Sequence, residues 1–279
     1  MAAALVPYID LIKAAVLGLV EGLTEFLPIS STGHLLLAER LLGSSGDAFG
    51  KSFTVLIQLG AILALLSIYF TRLWHLALNM FTSWVAARFI IGVLLAFLPA
   101  AAVGALAYGF IKNLLNSDSD MALRVVCTTL ILGGFVLLWV DRMKVQARRH
   151  DVTEFPLWMY FAIGLFQCVS VIPGVSRAGA TIVGAMLFGA DRRAAAEFSF
   201  WLAMPTMVGA FAFEAYKNRS EFTSGNTVII AVGFAVSFVC GWFVVKTLLG
   251  YVARHGFALF AWWRIVVGGL GLIALAMGL

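Results

Sequence analysis

Ionisable side chains are scarce in this chain of 279 residues: Asp, Glu, Lys and Arg together make up 12%. A soluble domain carries about 25%, so a surface that faces water throughout is excluded. The three cysteines, Cys127, Cys168 and Cys240, lie far apart in apolar surroundings. They lack the pairing of a disulfide framework and the spacing of zinc ligands, and read as small apolar packing residues. No basic stripe with interleaved aromatics accompanies the modest net charge of +5, so no nucleic-acid partner is expected. Met1–Leu19 lacks a basic leader followed by a small-residue cleavage pattern, and no cleavable signal peptide is expected there. What is abundant is apolar: 62% of residues are hydrophobic, and the mean hydropathy is +0.99. That is the composition of an all-α integral membrane protein with several spans.

Six stretches are long and clean enough to cross roughly 30 Å of hydrocarbon as helices. They are residues 53–70, 89–108, 121–140, 194–216, 227–249 and 257–279. The connections differ in charge. Arg142, Lys144, Arg148 and Arg149 crowd one, Arg72 and Arg88 flank another, Arg192 and Arg193 precede the fourth span, and Lys246 and Arg254 follow the fifth. The loops around Ser117–Asp120 and Ser220–Asn226 are more acidic or neutral, although Lys112, Lys217 and Arg219 blur the contrast. The positive-inside rule then puts the first group in the cytoplasm and both termini outside. Trp74, Trp84 and Trp158 read as interfacial anchors, and Glu197 near Arg192 and Arg193 as part of an interfacial ion pair.

Two further apolar stretches, residues 8–42 and 156–189, carry a motif that occurs twice. The first copy is E-G-L-T-E-F-L-P-I-S-S-T-G-H, Glu21–His34; the second is Q-C-V-S-V-I-P-G-V-S-R-A-G-A-T, Gln167–Thr181. Laid on one another, they match Gly18-Leu19 with Gly164-Leu165, Thr24 with Ser170, Ser30 with Ser176 and Gly33 with Gly179. Neither stretch suits a plain span. An ionised carboxylate at a bilayer centre costs about 2.5–3.5 kcal/mol, and the Pro-broken turns free backbone groups that only protein or a water-filled cavity can satisfy. A re-entrant helical hairpin meets both conditions. Three spans separate the two hairpins, so they enter from opposite faces as an inverted-topology repeat. The single membrane domain, 1–279, then divides into halves 1–150 and 151–279.

The chemistry sits in these hairpins. Glu21 and Glu25, four residues apart, share one helical face; they suit a divalent cation or acid/base work, or form a structural pair. Gly18 and Gly22 beside them admit a close helix neighbour. Ser30, Ser31, Thr32 and Gly33 after a proline can surround an anion with amides and hydroxyls. His34 lies within sequence reach of Ser31 as its base, or is itself a nucleophile. The second copy adds Arg177, whose planar fork suits two phosphate oxygens or, failing those, Glu21 or Glu25. Ser176 and Thr181 add donors, and Gly174 belongs to the same turn. Acids, hydroxyls, an imidazole and a guanidinium together point to phosphoryl transfer on a lipid phosphate.

These motifs resemble the signatures of the bacitracin-resistance (BacA) family, the undecaprenyl pyrophosphate phosphatases of bacterial inner membranes. Glu21–His34 is similar to the first signature, and Pro173–Thr181 to the second, with Ala178 where many members have Ser. The resemblance covers essentially the whole chain. It implies hydrolysis of the C55 isoprenyl pyrophosphate to the monophosphate carrier used for peptidoglycan and other envelope polymers, with bacitracin resistance as a consequence. It also implies a divalent cation, Mg2+ or Ca2+, held by Glu21 and Glu25, and a site open to the periplasmic face. By motif position the catalytic set is Glu21, Glu25, Ser31, His34 and Arg177, and the substrate-binding set Ser30, Thr32, Gly174, Ser176 and Thr181. Ser31 with His34 as base, His34 as a phosphohistidine, and metal-activated water all stay open as the attacking group. The partners expected are the lipid substrate and the bilayer, with a homodimer as the candidate assembly. A transporter or flippase for a phosphorylated polyprenyl lipid is the alternative, because inverted repeats with broken helices are frequent in transporters.

Overall fold

With little water to bond to in hydrocarbon, backbone groups must be satisfied within the protein, and a sequence this apolar answers with helices. The computed structural model describes residues 8–43, 48–116, 119–143, 147–217 and 227–278. Met1–Pro7, Lys144 and the Ser220–Asn226 loop, with Arg219, lie outside the described residues, as do Ser117 and Asp118. The elements are α1 (Tyr8–Thr24), α2 (Ser31–Leu41), α3 (Ala48–Asn79), α4 (Trp84–Asn116), α5 (Ser119–Arg142), α6 (Leu157–Cys168), α7 (Arg177–Leu187), α8 (Arg192–Lys217), α9 (Thr227–His255) and α10 (Ala258–Ala276). No strand occurs among the described residues.

Six helices are long and apolar enough to cross a membrane: Phe53–Asn79, Trp84–Gly109, Asp120–Arg142, Arg192–Glu214, Thr227–His255 and Ala258–Ala276. Each overlaps one expected span. The helices in α3 and α9 run on to Asn79 and His255, beyond residues 70 and 249. Nothing in hydropathy marks those ends, because a helix continues into the polar interface without penalty.

Neither motif-bearing stretch is one continuous helix. Each breaks into two short helices, α1/α2 and α6/α7, around a turn that contains a proline. Helix α1 packs on α9, and α6 packs on α4. Small residues permit the first contact: a Cβ at Gly18 would collide with the Gly233 carbonyl, and one at Gly22 with the Ser237 carbonyl. At Gly164 it would strike the backbone of Ala96 and so block the second contact.

Polar residues tie the ends of the bundle. At one end Asp141 of α5 accepts from Arg192 Nε at 2.7 Å and from the Phe257 amide at 3.1 Å, joining α5, α8 and α10. Arg72 pairs with Glu197, so the expected ion pair of Glu197 forms with α3 and not with Arg192 on its own helix. Arg149 bridges to Ala190 just beyond α7, and Tyr160 of α6 donates to the Val152 carbonyl. At the other end Arg40 of α2 meets Asp120 of α5 at 3.2 Å. The start of α1 there joins Leu42, Ile229 and Ile230 around a small apolar cluster. Between the ends, edge-to-face aromatic pairs run from Phe26 through Phe200, Tyr69, Trp201 and Phe89 to Tyr160. Outward-facing Leu94, Leu132, Phe135 and Leu165 are exposed, as lipid-facing positions are, and so are Trp74, Trp84 and Trp158.

Gly18→Leu is expected to overpack the α1–α9 contact at a cost of about 1–3 kcal/mol. Gly269→Ala, where an added Cβ meets nothing within 4 Å, is expected to leave stability unchanged. Thermal unfolding of the two detergent-purified variants decides; equal midpoints would contradict the close approach.

Candidate active site

Both turns end in the same local device. Ser30 and Ser176 precede α2 and α7, and each caps its helix by accepting from the amide three residues on, Gly33 at 3.4 Å and Gly179 at 3.1 Å. Both adopt positive φ, 72° and 65°, and they are the only non-glycine residues to do so among the described residues. Such a conformation costs about 1–3 kcal/mol and persists only where the surroundings hold it. Its effect is to start each helix abruptly. Ser31 and Arg177, the first residues of α2 and α7, are thereby brought towards one another.

Between them lies Glu25. It follows the last residue of α1, and its amide bonds the Glu21 carbonyl at 2.9 Å, which keeps the two acids on one face. Its Oε2 accepts a short hydrogen bond from the Ser31 hydroxyl. Its Oε1 accepts from Arg177 Nη2 at 3.1 Å in an ion pair whose side chains are 13% and 6% exposed. Arg177 Nη1 also donates to the Ser199 carbonyl at 3.1 Å. Glu21 is buried behind Glu25, and its Oε1 has no hydrogen-bond partner. Glu21, Glu25, Ser31 and Arg177 are therefore one cluster, assembled from both halves of the chain.

The remaining expected residues divide. His34 does not meet Ser31. Its Nδ1 bonds the Ser30 carbonyl at 2.8 Å, and its Nε2 accepts from the Trp263 indole N–H at 2.8 Å. With Nε2 accepting, Nδ1 carries the proton, and neither nitrogen is free for the Ser31 hydroxyl. Thr181 is fully buried and donates to the Arg177 carbonyl one turn back at 2.9 Å, so its hydroxyl serves its own helix. Thr32 is exposed in the first turn of α2. Gly174, at φ 89°, lies against Thr129 where a Cβ would collide with the hydroxyl. Its part is to make the turn.

Sequence reasoning passed over Arg264 and Trp263 of α10, and Ser199 and Met207 of α8. Trp263 holds His34; Ser199 and Met207 receive Arg177. Arg264 is 1% exposed in the middle of the molecule. The signal was available: an arginine inside an apolar span is a functional flag, and the argument that singles out Arg177 applies equally to Arg264.

Among the described residues no group of three or more His, Cys, Asp or Glu side chains gathers to hold a metal. The two glutamates, with the unbonded Oε1 of Glu21, form the one acidic pair in the cluster. Magnesium characteristically takes one or two carboxylates and completes its shell with water and substrate phosphate. The donor set fits that pattern and not an all-protein cage.

A profile of the family described as bacitracin resistance protein BacA matches residues 14–270. The chain belongs to this family. It is also 61% identical over 269 residues to the undecaprenyl-diphosphatase of Rhodopseudomonas palustris strain BisB18, an alignment that covers 96% of this chain and 98% of that one. The undecaprenyl-diphosphatase of Bradyrhizobium diazoefficiens is 60% identical over 270 residues, covering 96% and 99%. That of Afipia carboxidovorans is 60% identical over 269 residues, covering 96% and 98%. The family match takes in both turns and all four residues of the cluster.

Removing one partner of a buried ion pair strands the other, at about 3–5 kcal/mol. Arg177→Met is therefore expected to destabilise the protein by that amount, and Glu25→Gln added to it to return part of the loss. A double-mutant cycle read by unfolding in detergent measures the coupling; additive effects would show that the pair is not formed.

Proposed function

We propose that this chain is a membrane-embedded undecaprenyl-diphosphatase that removes the terminal phosphate of undecaprenyl pyrophosphate. The observation that carries the reading is the Glu25 carboxylate held between the Ser31 hydroxyl and the Arg177 guanidinium, in a chain so similar to enzymes of that name. Ser31 is the nucleophile in this proposal. As its oxygen attacks the terminal phosphorus, its proton passes along the existing hydrogen bond to Glu25. The bond to the bridging oxygen breaks and undecaprenyl phosphate leaves. Glu25 gives that proton to the departing lipid phosphate. Water then attacks the phosphoserine, Glu25 takes the proton from the water and returns it to the leaving Ser31 oxygen, and phosphate is released. Glu25 replaces His34 as the base because the hydrogen bond runs to Glu25, while His34 is engaged elsewhere.

Arg177 exchanges its carboxylate partner for phosphate oxygens as substrate enters, and its fork then stabilises charge on the transferring group. Glu21 and Glu25 would hold a divalent cation, Mg2+ or Ca2+, which neutralises diphosphate charge. Ser30 and Ser176 keep the turns in shape, and Thr32 is available to the headgroup from its exposed position.

The membrane arrangement belongs to the same proposal. The α6/α7 pair starts and finishes at the end rich in Arg192, Arg72 and Arg149, and the α1/α2 pair at the Arg40–Asp120 end. Those contacts support two re-entrant hairpins of an inverted repeat, entering from opposite faces. The arginine-rich end would face the cytoplasm of a bacterial inner membrane, with both termini and the substrate entrance periplasmic. In that setting the product is the lipid carrier for peptidoglycan and other envelope polymers, and its turnover would confer bacitracin resistance.

Phosphate release from C55 isoprenyl pyrophosphate by the purified protein tests the reading. Activity should need a divalent cation and vanish with a chelator. Glu25→Ala, Ser31→Ala and Arg177→Ala should each lower kcat by about 10²–10⁴-fold. Wild-type turnover in any of the three would remove that residue from the proposal, and equal turnover of soluble pyrophosphate would remove the lipid substrate. Cysteines placed at Arg149 and at Arg40 should label from opposite sides of the membrane; labelling from one side would sink the topology.

A further inference from the structure

Arg264 is a cation that meets no anion among the described residues: no carboxylate pairs with it, and all five of its N–H groups go to backbone carbonyls. Nε donates to Leu130 at 3.2 Å, Nη1 to Pro28 at 3.1 Å and Val175 at 3.4 Å, and Nη2 to Thr129 at 3.2 Å and Gly174 at 3.1 Å. Two of these carbonyls belong to α5. The other three belong to the two turns, Pro28 in the first and Gly174 and Val175 in the second. No other side chain in the described residues bonds both turns.

The room for this group is built in. A Cβ on Gly133 of α5 would collide with Nη2 of Arg264, and one on Gly179 of α7 would lie 3.2 Å from Nη1. Thr129 adds a tether from the same side, donating its hydroxyl to the Pro173 carbonyl at 2.7 Å. The carbonyls held are those of residues just before the strained serines: Pro28 two before Ser30, and Val175 directly before Ser176. Ser31 and Arg177 hang from those serines. The guanidinium therefore spans the two points from which the nucleophile and the phosphate-binding cation are suspended.

We propose that Arg264 is a positioning residue for the reaction: by clamping the carbonyls of Pro28, Gly174 and Val175 it sets the distance between the two turns, and so between Ser31 and Arg177. Resting on the phosphatase reading, this gives α10 a share in the site although it carries no part of either motif. A simple structural plug would need only an apolar side chain of similar volume. A clamp needs the fork, because lysine has three donors in place of five and cannot hold both turns in one plane.

The test uses the full-length protein in detergent, with Arg264→Lys, Arg264→Met and Gly133→Ala. Misplacement of a reacting group by about 1 Å costs about 10²-fold in rate. Arg264→Met should lower kcat by that order with KM changed by less than about threefold, because the groups that bind lipid are untouched. Arg264→Lys should recover part of the loss, and Gly133→Ala should resemble Arg264→Met. Hydrogen exchange gives a readout that needs no activity: segments 26–30 and 173–177 should exchange faster in Arg264→Lys, while α3 and α9 keep their protection. If Arg264→Met does not fold, Arg264→Lys and Gly133→Ala carry the test. Unchanged exchange in both turns with kcat within about twofold of wild type in the folded variants would overturn the clamp. A wild-type protein without phosphatase activity would instead overturn the functional reading and leave the exchange result to judge Arg264.

Discussion

Two stretches of non-helical backbone sit inside an otherwise helical, apolar protein, and their carbonyls must be bonded where water is scarce. That constraint organises the rest of the molecule. Helices satisfy themselves, but a Pro-broken turn cannot, and each orphaned group in an apolar setting costs several kcal/mol. The structure answers from three directions. Ser30 and Ser176 cap the helices that follow, Thr129 bonds the Pro173 carbonyl, and Arg264 takes carbonyls from both turns at once. The same bonds that make the turns tolerable also fix where they point.

What the turns deliver is an uneven pair of contributions. From the first half come Glu21, Glu25 and Ser31; from the second comes Arg177. The Glu25–Arg177 ion pair joins the halves, and the hydroxyl of Ser31 completes it. A buried ion pair is weak evidence of stability, since desolvation offsets much of its attraction. In the proposed reaction its value is chemical, because an arginine paired with a carboxylate is already placed for a phosphate, and a carboxylate bonded to a hydroxyl is already placed for a proton.

Much of this was legible in the sequence. Scarce charge and apolar runs gave six candidate spans, because crossing hydrocarbon demands a length and a composition that few other structures imitate. Glu21, Glu25 and Arg177 stood out because ionised groups are costly at depth, and the doubled motif marked both breaks, although Ser31, Thr32 and Gly33, expected in the first turn, already belong to α2. The expected closeness at Gly18 and Gly22 is realised against α9, since small residues are what allow backbones to touch. The Ser31–His34 relation was misjudged from spacing. Three residues along a helix bring two side chains to one face, but not into a bond, and His34 had a better donor in Trp263.

The amino-acid sequence alone determined what kind of protein this is, which six stretches are long and apolar enough to span, and most of the residues too polar to be there without a reason. Hydropathy and local breaks in helix pattern are properties of neighbouring residues, so they can be read along the chain. Only the tertiary structure decided partnership: that Glu25 and not His34 receives Ser31, that Glu197 pairs with Arg72, and that Arg264 joins the two turns through the carbonyls of Pro28, Gly174 and Val175, which lie far apart in sequence. Backbone carbonyls carry no residue identity. A guanidinium that binds only carbonyls therefore leaves no complementary acid in the sequence to betray it, and its role appears when the chain is folded around it.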